Sequence, residues 1–245
     1  MNAVADPPGP RPRARRPAHR DRHGAAGYVG ALALLILSYA LCSAQRTTDP
    51  SPVAFLAILA TVAVVFRVTA VRSSIQHVSW GILALAAAAA IVTSAIGATG
   101  RLLDIAFSGA SILALLIAPA AIVAHQARRR GFNLEALLAT ITAYVLVGLL
   151  FTFVYNLTSL VSPAPLFGDA AADSLADQLF FSFTTLTTTG YGNLAPATTT
   201  GQTIAVTEAI TGQLFLITAV ARIMQGTGRR NAAQTSARPL AEDAS

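Results

Sequence analysis

Thr184-Thr185-Leu186-Thr187-Thr188-Thr189-Gly190-Tyr191-Gly192-Asn193-Leu194-Ala195-Pro196 is the stretch on which the reading of this chain turns. Within it, Thr188-Thr189-Gly190-Tyr191-Gly192 places glycines at alternate positions. Glycine reaches backbone conformations closed to other residues. Such a run can turn successive carbonyl oxygens toward one axis. Rings of carbonyls from several copies of a chain replace the water shell of a dehydrated cation. The five residues therefore point to a site built from backbone rather than from side-chain chemistry.

The composition says what surrounds that site. Of the 245 residues, 54% are hydrophobic and only 11% are charged. A soluble domain carries about 25% charged residues. Apolar segments lie at about 25–44, 53–71, 79–99, 102–125, 134–157 and 201–225. Each approaches the roughly 20 residues that cross the hydrocarbon core as a helix. The expectation is an all-α integral membrane protein with six transmembrane helices. The third segment, with its run from Ala86 to Ala90, offers small side chains for close helix packing. Pro119 is expected to kink the fourth.

The net charge is +6, and all 17 basic residues are Arg. Placing the N-terminus inside leaves only Arg46 and Arg101 on the outer side; the other arginines fall on the cytoplasmic side. That asymmetry is the positive-inside pattern, and it explains the basic pI without nucleic acid. Both termini are thus expected in the cytoplasm, in a multi-pass protein of the cell membrane with the lipid bilayer as a partner. A signal peptide at 1–44 is the rival reading, disfavoured by the length of both its basic and its apolar parts. Cys42 stands alone, so neither an internal disulfide nor a zinc-type cluster is available.

Between the fifth and sixth segments, Ser174-Leu175-Ala176-Asp177 has capping-box spacing. A helix from there to about Thr187 spans about 20 Å, enough to enter the membrane halfway. Its C-terminal end carries partial negative charge and favours a cation. The chain must then return outward as the Thr-Thr-Gly-Tyr-Gly strand. Non-helical backbone at that depth has to be buried in protein or line a cavity. A lone copy does neither, so several subunits are expected around one axis.

The Thr188–Gly192 string closely resembles the Thr-Val-Gly-Tyr-Gly signature of potassium channels. Leu179-Phe180-Phe181-Ser182-Phe183-Thr184-Thr185-Leu186-Thr187 resembles the aromatic pore helix of the bacterial members, and Pro196, Gly201 and Gly212 stand where that family has them. The similarity covers about residues 134–226. It implies a re-entrant pore helix and selectivity filter between the fifth and sixth helices, in a homotetramer that conducts potassium passively. By that resemblance K+ is held by the carbonyls of Thr188, Thr189, Gly190 and Tyr191. The Thr188 hydroxyl forms the innermost site and Gly192 shapes the outer mouth. Tyr191 packs on pore-helix aromatics such as Phe180.

Two positions depart from the family pattern. Thr189 stands for the commoner Val or Ile, and its hydroxyl needs a partner. Asn193 stands for the commoner Asp, which removes a charge at the mouth; it is expected to hydrogen-bond behind the filter, to Thr184. Potassium selectivity is expected to survive, with altered conductance or inactivation. These substitutions also carry the alternative of a nonselective or poorly conducting cation-channel subunit.

The resulting division is a disordered cytoplasmic arm at 1–24 and a four-helix transmembrane domain at 25–130. The pore domain follows at 131–226 and a cytoplasmic tail at 227–245. The fourth segment has no repeating Arg from Leu102 to Gln126, so the four-helix domain is not a conventional voltage sensor. Arg128, Arg129 and Arg130 are read as topology anchors that could also meet anionic lipid. Two gating candidates lie in the sixth segment. Glu208 either hydrogen-bonds pore-helix hydroxyls or titrates and tunes the filter. Gly212 is a hinge, a close-packing position, or both. No P-loop, nucleophile elbow or metal-ligand set is present, so neither an enzyme nor a cofactor is expected. A secondary transporter would want clustered intramembrane acids; Asp104, Glu135 and Glu208 are not clustered by spacing.

Overall fold

The computed structural model describes residues 19–44, 52–69, 100–127, 134–168 and 173–236, together with Ala88 and Val92. The described residues form helices and connections. The helices are α1 (His19–Ser43), α2 (Pro52–Thr69), α3 (Arg101–Ala127), α4 (Leu134–Val161), α5 (Leu175–Leu186) and α6 (Thr199–Ser236). Helix α1 starts at His19, so its first turns occupy the end of the segment read as an arm; residues 1–18 lie outside the described residues. So do most of the third apolar segment, Arg128–Arg130 and the end of the tail.

Four of the helices are long and apolar enough to cross a membrane: α1 from Ala26, α3, α4 and α6 up to Arg222. Within α2 the apolar stretch is shorter, Ile58–Arg67. The structure therefore supports a helical integral membrane protein. Helix α3 runs on through Pro119 without interruption.

Each helix buries the stripe that its sequence periodicity dictates. In α1 the buried positions are Tyr28, Ala31, Leu35, Ser38 and Cys42. In α3 they include Ser108, Ser111, Leu115, Ala118 and Ile122. Spacings of three and four keep such residues on one helix face. The serines among them let backbones approach closely. Helix α4 is the hub, packing against α1, α3, α5 and α6. Half of its span is buried, against 11% for α6. A single chain thus has a core around α4 and leaves one side of α6 uncovered.

Polar clasps join α3 to the α4–α6 unit at three levels. Arg101 Nε donates to the Leu160 carbonyl at 2.8 Å. The buried Ser108 hydroxyl donates to Asn156 Oδ1 at 2.6 Å. Arg222 of α6 donates to the Gln126 carbonyl at 2.6 Å. Both arginines meet a helix C-terminus, where unpaired carbonyls and the negative end of the dipole favour a cation.

Candidate functional site

Helix α5 begins as its sequence pattern requires. Ser174 has extended backbone (φ −72°, ψ 160°), and its Oγ accepts the Asp177 N–H at 3.2 Å. Asp177 Oδ2 accepts the Ser174 N–H at 3.3 Å and the Ser174 hydroxyl as well. The capping box satisfies donors that the first helical turn leaves open. One residue earlier, buried Asp173 gathers the surrounding chain. Its Oδ2 accepts the Ser159 hydroxyl and the Leu166 N–H at 3.1 Å. Gln178 Nε2 donates to the Asp173 carbonyl at 3.1 Å. The end of α4, the following loop and the start of α5 are thereby fixed together.

The middle of α5 is wedged among aromatic rings. Phe183 meets Tyr39 of α1 edge-on at 5.4 Å between centroids, and Phe181 meets Tyr155 at 5.2 Å and Phe167 at 5.0 Å. Such edge-to-face contacts suit the ring quadrupoles. Gly148 of α4 makes the Phe183 position possible, because a Cβ there would stand 2.7 Å from the ring.

On the face of α5 toward α6, Ser182 Oγ lies 2.6 Å from Glu208 Oε1 and 2.8 Å from the Gly148 carbonyl oxygen. Tyr155 donates its phenol to Glu208 Oε2 at 2.7 Å. Glu208 is fully buried. Glu208 is thus hydrogen-bonded to one hydroxyl of α4 and one of α5. One turn on, Gly212 abuts the Leu186 carbonyl oxygen so closely that a Cβ would collide with it. The same carbonyl accepts the Tyr144 phenol at 3.0 Å.

The chain leaves α5 by folding back on its last turn. The N–H groups of Thr189 and Gly190 both donate to the Thr184 carbonyl, at 2.8 and 3.1 Å. Thr188 (φ 58°), Gly190 (φ 53°) and Gly192 (φ 80°) have positive φ, at every second position. Glycine takes this region freely, but at Thr188 it costs of order 1–3 kcal/mol. In an ordinary strand successive carbonyls point to opposite sides. Reversing the backbone hand at alternate residues turns them toward the same side.

Tyr191 stacks on Phe180, with centroids 5.7 Å apart and planes inclined by 15°. The Thr189 hydroxyl finds its partner in the Thr187 hydroxyl, 2.9 Å away. Thr184 donates to the Phe181 carbonyl at 3.0 Å rather than to Asn193, which is exposed. The expected Asn193–Thr184 bond is therefore not made within one chain, because the hydroxyl is satisfied one turn back on its own helix. Thr187 through Asn193 are all exposed in the single chain. The segment that follows is tied back where the Ala197 N–H donates to the Leu166 carbonyl at 2.8 Å. Gly201, in the first turn of α6, lies against Leu166 and Pro196, either of which a Cβ would meet at 2.9 Å.

Sequence reasoning did not single out Tyr144, Tyr155, Asp173 or Gly148. The tyrosines carried a usable signal, since a phenol inside an apolar segment requires a hydrogen-bond partner. Nothing distinguished Asp173 from neighbouring Asp169.

Residues 140–227, which hold all of this geometry except Tyr39, match a family model described as ion channel. No curated protein and no solved structure matches the chain. The match supports ion transport through a membrane, by a channel rather than an enzyme. The apolar helices on either side of α5 accord with it.

Proposed function

We propose that the protein is a potassium-selective channel, assembled from four copies, through which K+ flows passively down its electrochemical gradient. The observation that carries this reading is the alternation of positive φ at Thr188, Gly190 and Gly192, directly after a capped helix too short to span a membrane. On this reading α5 is the re-entrant pore helix. The carbonyls of Thr188, Thr189, Gly190 and Tyr191 and the Thr188 hydroxyl replace the ion's water shell, and Gly192 forms the mouth. The C-terminal dipole of α5 adds partial negative charge where the ion waits below the filter.

Two exposed surfaces support assembly. Thr187–Asn193 is backbone that a lone chain leaves uncovered, and bilayer depth tolerates it only when other copies enclose it or it borders water. The uncovered side of α6 carries Val206, Ile210, Leu214 and Ile217. Thr203, Thr207 and Thr211 of α6 spend their hydroxyl hydrogens on carbonyls one turn back. Around a fourfold axis these surfaces face neighbouring copies and a central cavity. Phe180, stacked on Tyr191, braces the filter from behind, and Thr184 holds its inner end. Gly212 and Glu208 are the gating candidates, because both sit on the face of α6 that grips α5. The arginine distribution supports a six-span protein of the cell membrane with both termini in the cytoplasm and the filter outward.

Reconstitution in liposomes with potassium and sodium gradients tests the proposal. The expected result is potassium flux that barium blocks, with little sodium flux. Equal flux of both ions would replace it with a nonselective cation channel whose filter Thr189 and Asn193 have loosened.

A further inference from the structure

Glu208 is buried among oxygens, and the hydrogens available to them can be counted. Three short oxygen–oxygen contacts link Glu208, Tyr155, Ser182 and Gly148, and the Thr152 hydroxyl, 2.9 Å from the Gly148 carbonyl, brings its own hydrogen to a fourth. Tyr155 Oη stands 2.7 Å from Glu208 Oε2, Ser182 Oγ 2.6 Å from Glu208 Oε1, and Ser182 Oγ 2.8 Å from the Gly148 carbonyl. A hydroxyl has one hydrogen, a backbone carbonyl has none, and an ionised carboxylate has none. Tyr155 serves the first contact. The single hydrogen of Ser182 can make a full-strength bond in the second or the third, not in both. With an ionised Glu208, one pair of oxygens would face each other at hydrogen-bond distance with at most a shared hydrogen between them. A protonated carboxyl removes the conflict. Its O–H on Oε1 donates to Ser182 Oγ, Ser182 donates to Gly148, and Tyr155 donates to Oε2. Every contact then has one hydrogen.

The surrounding charges agree with that count. From α4 the titratable groups facing Glu208 are Tyr155 and Tyr144, and α5 presents Ser182. Asp177 of α5 is engaged at the opposite end of its helix, by Ser174. No Arg or His side chain hydrogen-bonds Glu208 among the described residues. An ionised carboxylate would lie fully buried without a counter-charge, a costly arrangement.

We infer that Glu208 is held as a neutral carboxylic acid and serves as a positioning residue for the filter, locking α5 between α4 and α6 through the chain Glu208–Ser182–Gly148. Ser182 lies two residues before Thr184, whose carbonyl holds the N–H groups of Thr189 and Gly190. The lock therefore sets where the Thr188–Gly192 strand begins. Leu186, pinned by Tyr144 and abutted by Gly212, is the second fixed point of the same helix end. What separates this role from a generic buried contact is its dependence on a proton. A neutral amide can replace the acid, because its N–H donates to Ser182 while its oxygen accepts from Tyr155. Alanine leaves the Tyr155 and Ser182 oxygens without that partner.

The flux part of this inference rests on the channel reading; the protonation part does not. Infrared spectra of the full-length protein in lipid at neutral pH test the latter. The carbonyl stretch of a protonated carboxylic acid is expected in the wild type. It should shift in Ser182→Ala, which removes the acceptor of the acid proton, and vanish in Glu208→Gln. Liposome flux gives the second readout: Glu208→Gln is expected to assemble and keep wild-type potassium flux, and Glu208→Ala to lose it. Absence of the acid band, or a band that neither variant alters, would overturn the inference. So would a Glu208→Gln protein that fails to assemble while Ser182→Ala assembles. A correct band pattern in a protein that passes no potassium would support the inference and count against the channel reading alone.

Discussion

Replacing Gly212 with alanine will weaken the protein, although alanine is the better helix former. In an open helix the exchange gains about 0.8–1 kcal/mol. At Gly212 the new methyl group would meet the carbonyl oxygen of Leu186, with its carbonyl carbon and Cδ1 each 3.1 Å away. The first obstacle is backbone, which cannot swing aside as a side chain does. Forcing a methyl into such a contact costs about 1–3 kcal/mol. Displacing the Leu186 carbonyl also loosens the Tyr144 hydrogen bond at 3.0 Å, a further loss of about 1 kcal/mol. Combining these, the variant should be less stable by about 1–3 kcal/mol per chain. For a chain of this length that corresponds to a fall in Tm of about 2–12 °C. Helical circular dichroism of the purified protein during heating in detergent measures it. A Tm equal to or above the wild-type value would refute the close-packing argument. It would also indicate that α6 bends away from α5 at Gly212 in the protein in solution, as a hinge requires.

Three further outcomes follow from the geometry of the site. On the proposed channel reading, Asn193→Asp adds a negative charge to each subunit at an exposed position near Tyr191 and should raise potassium conductance at low salt. The gain should fade toward 1 M, where the Debye length is about 3 Å rather than about 10 Å at 0.1 M. Single-channel currents across a salt series check this, and equal conductance at low salt would remove Asn193 from the ion's approach. Ser174→Ala should cost about 1 kcal/mol of stability through loss of the α5 cap. The Ser174→Ala and Asp177→Ala losses should be less than additive, since each removes the other's partner; strictly additive losses in a double-mutant cycle would contradict a reciprocal cap.

Much of the site could be read along the chain because it is local. The Ser174–Asp177 cap closes over three residues. The glycines at 190 and 192 signal an unusual backbone at their own positions. The Thr187–Thr189 and Phe180–Tyr191 contacts join residues close in sequence, so a short folded-back strand brings them together. The asymmetry of arginine needs no fold at all. Thr188 was harder to anticipate, because nothing in a β-branched side chain announces a positive φ; the Thr188 N–H donating to the Thr185 carbonyl helps hold it there.

The partners of Glu208 were beyond sequence reasoning for the opposite reason. They lie 26 and 53 residues away, on two different helices. Spacing shows that an acid inside an apolar helix needs hydrogen-bond partners, since hydrocarbon supplies none. It does not show which hydroxyls arrive, or how many hydrogens they bring. The same limit applied to Gly212 and Gly148. A small residue in a helix announces that something can come close; only packing decided that Leu186 backbone meets one and the Phe183 ring the other. The sequence alone determined the apolar helices that the structure describes, the cap, the charge asymmetry and the string of five residues, because each depends on neighbours within a turn or two or on composition. The tertiary structure alone decided what stands behind that string. Helices distant in the chain share one small space there, and in that space oxygens must share hydrogens and a glycine must stand against a carbonyl.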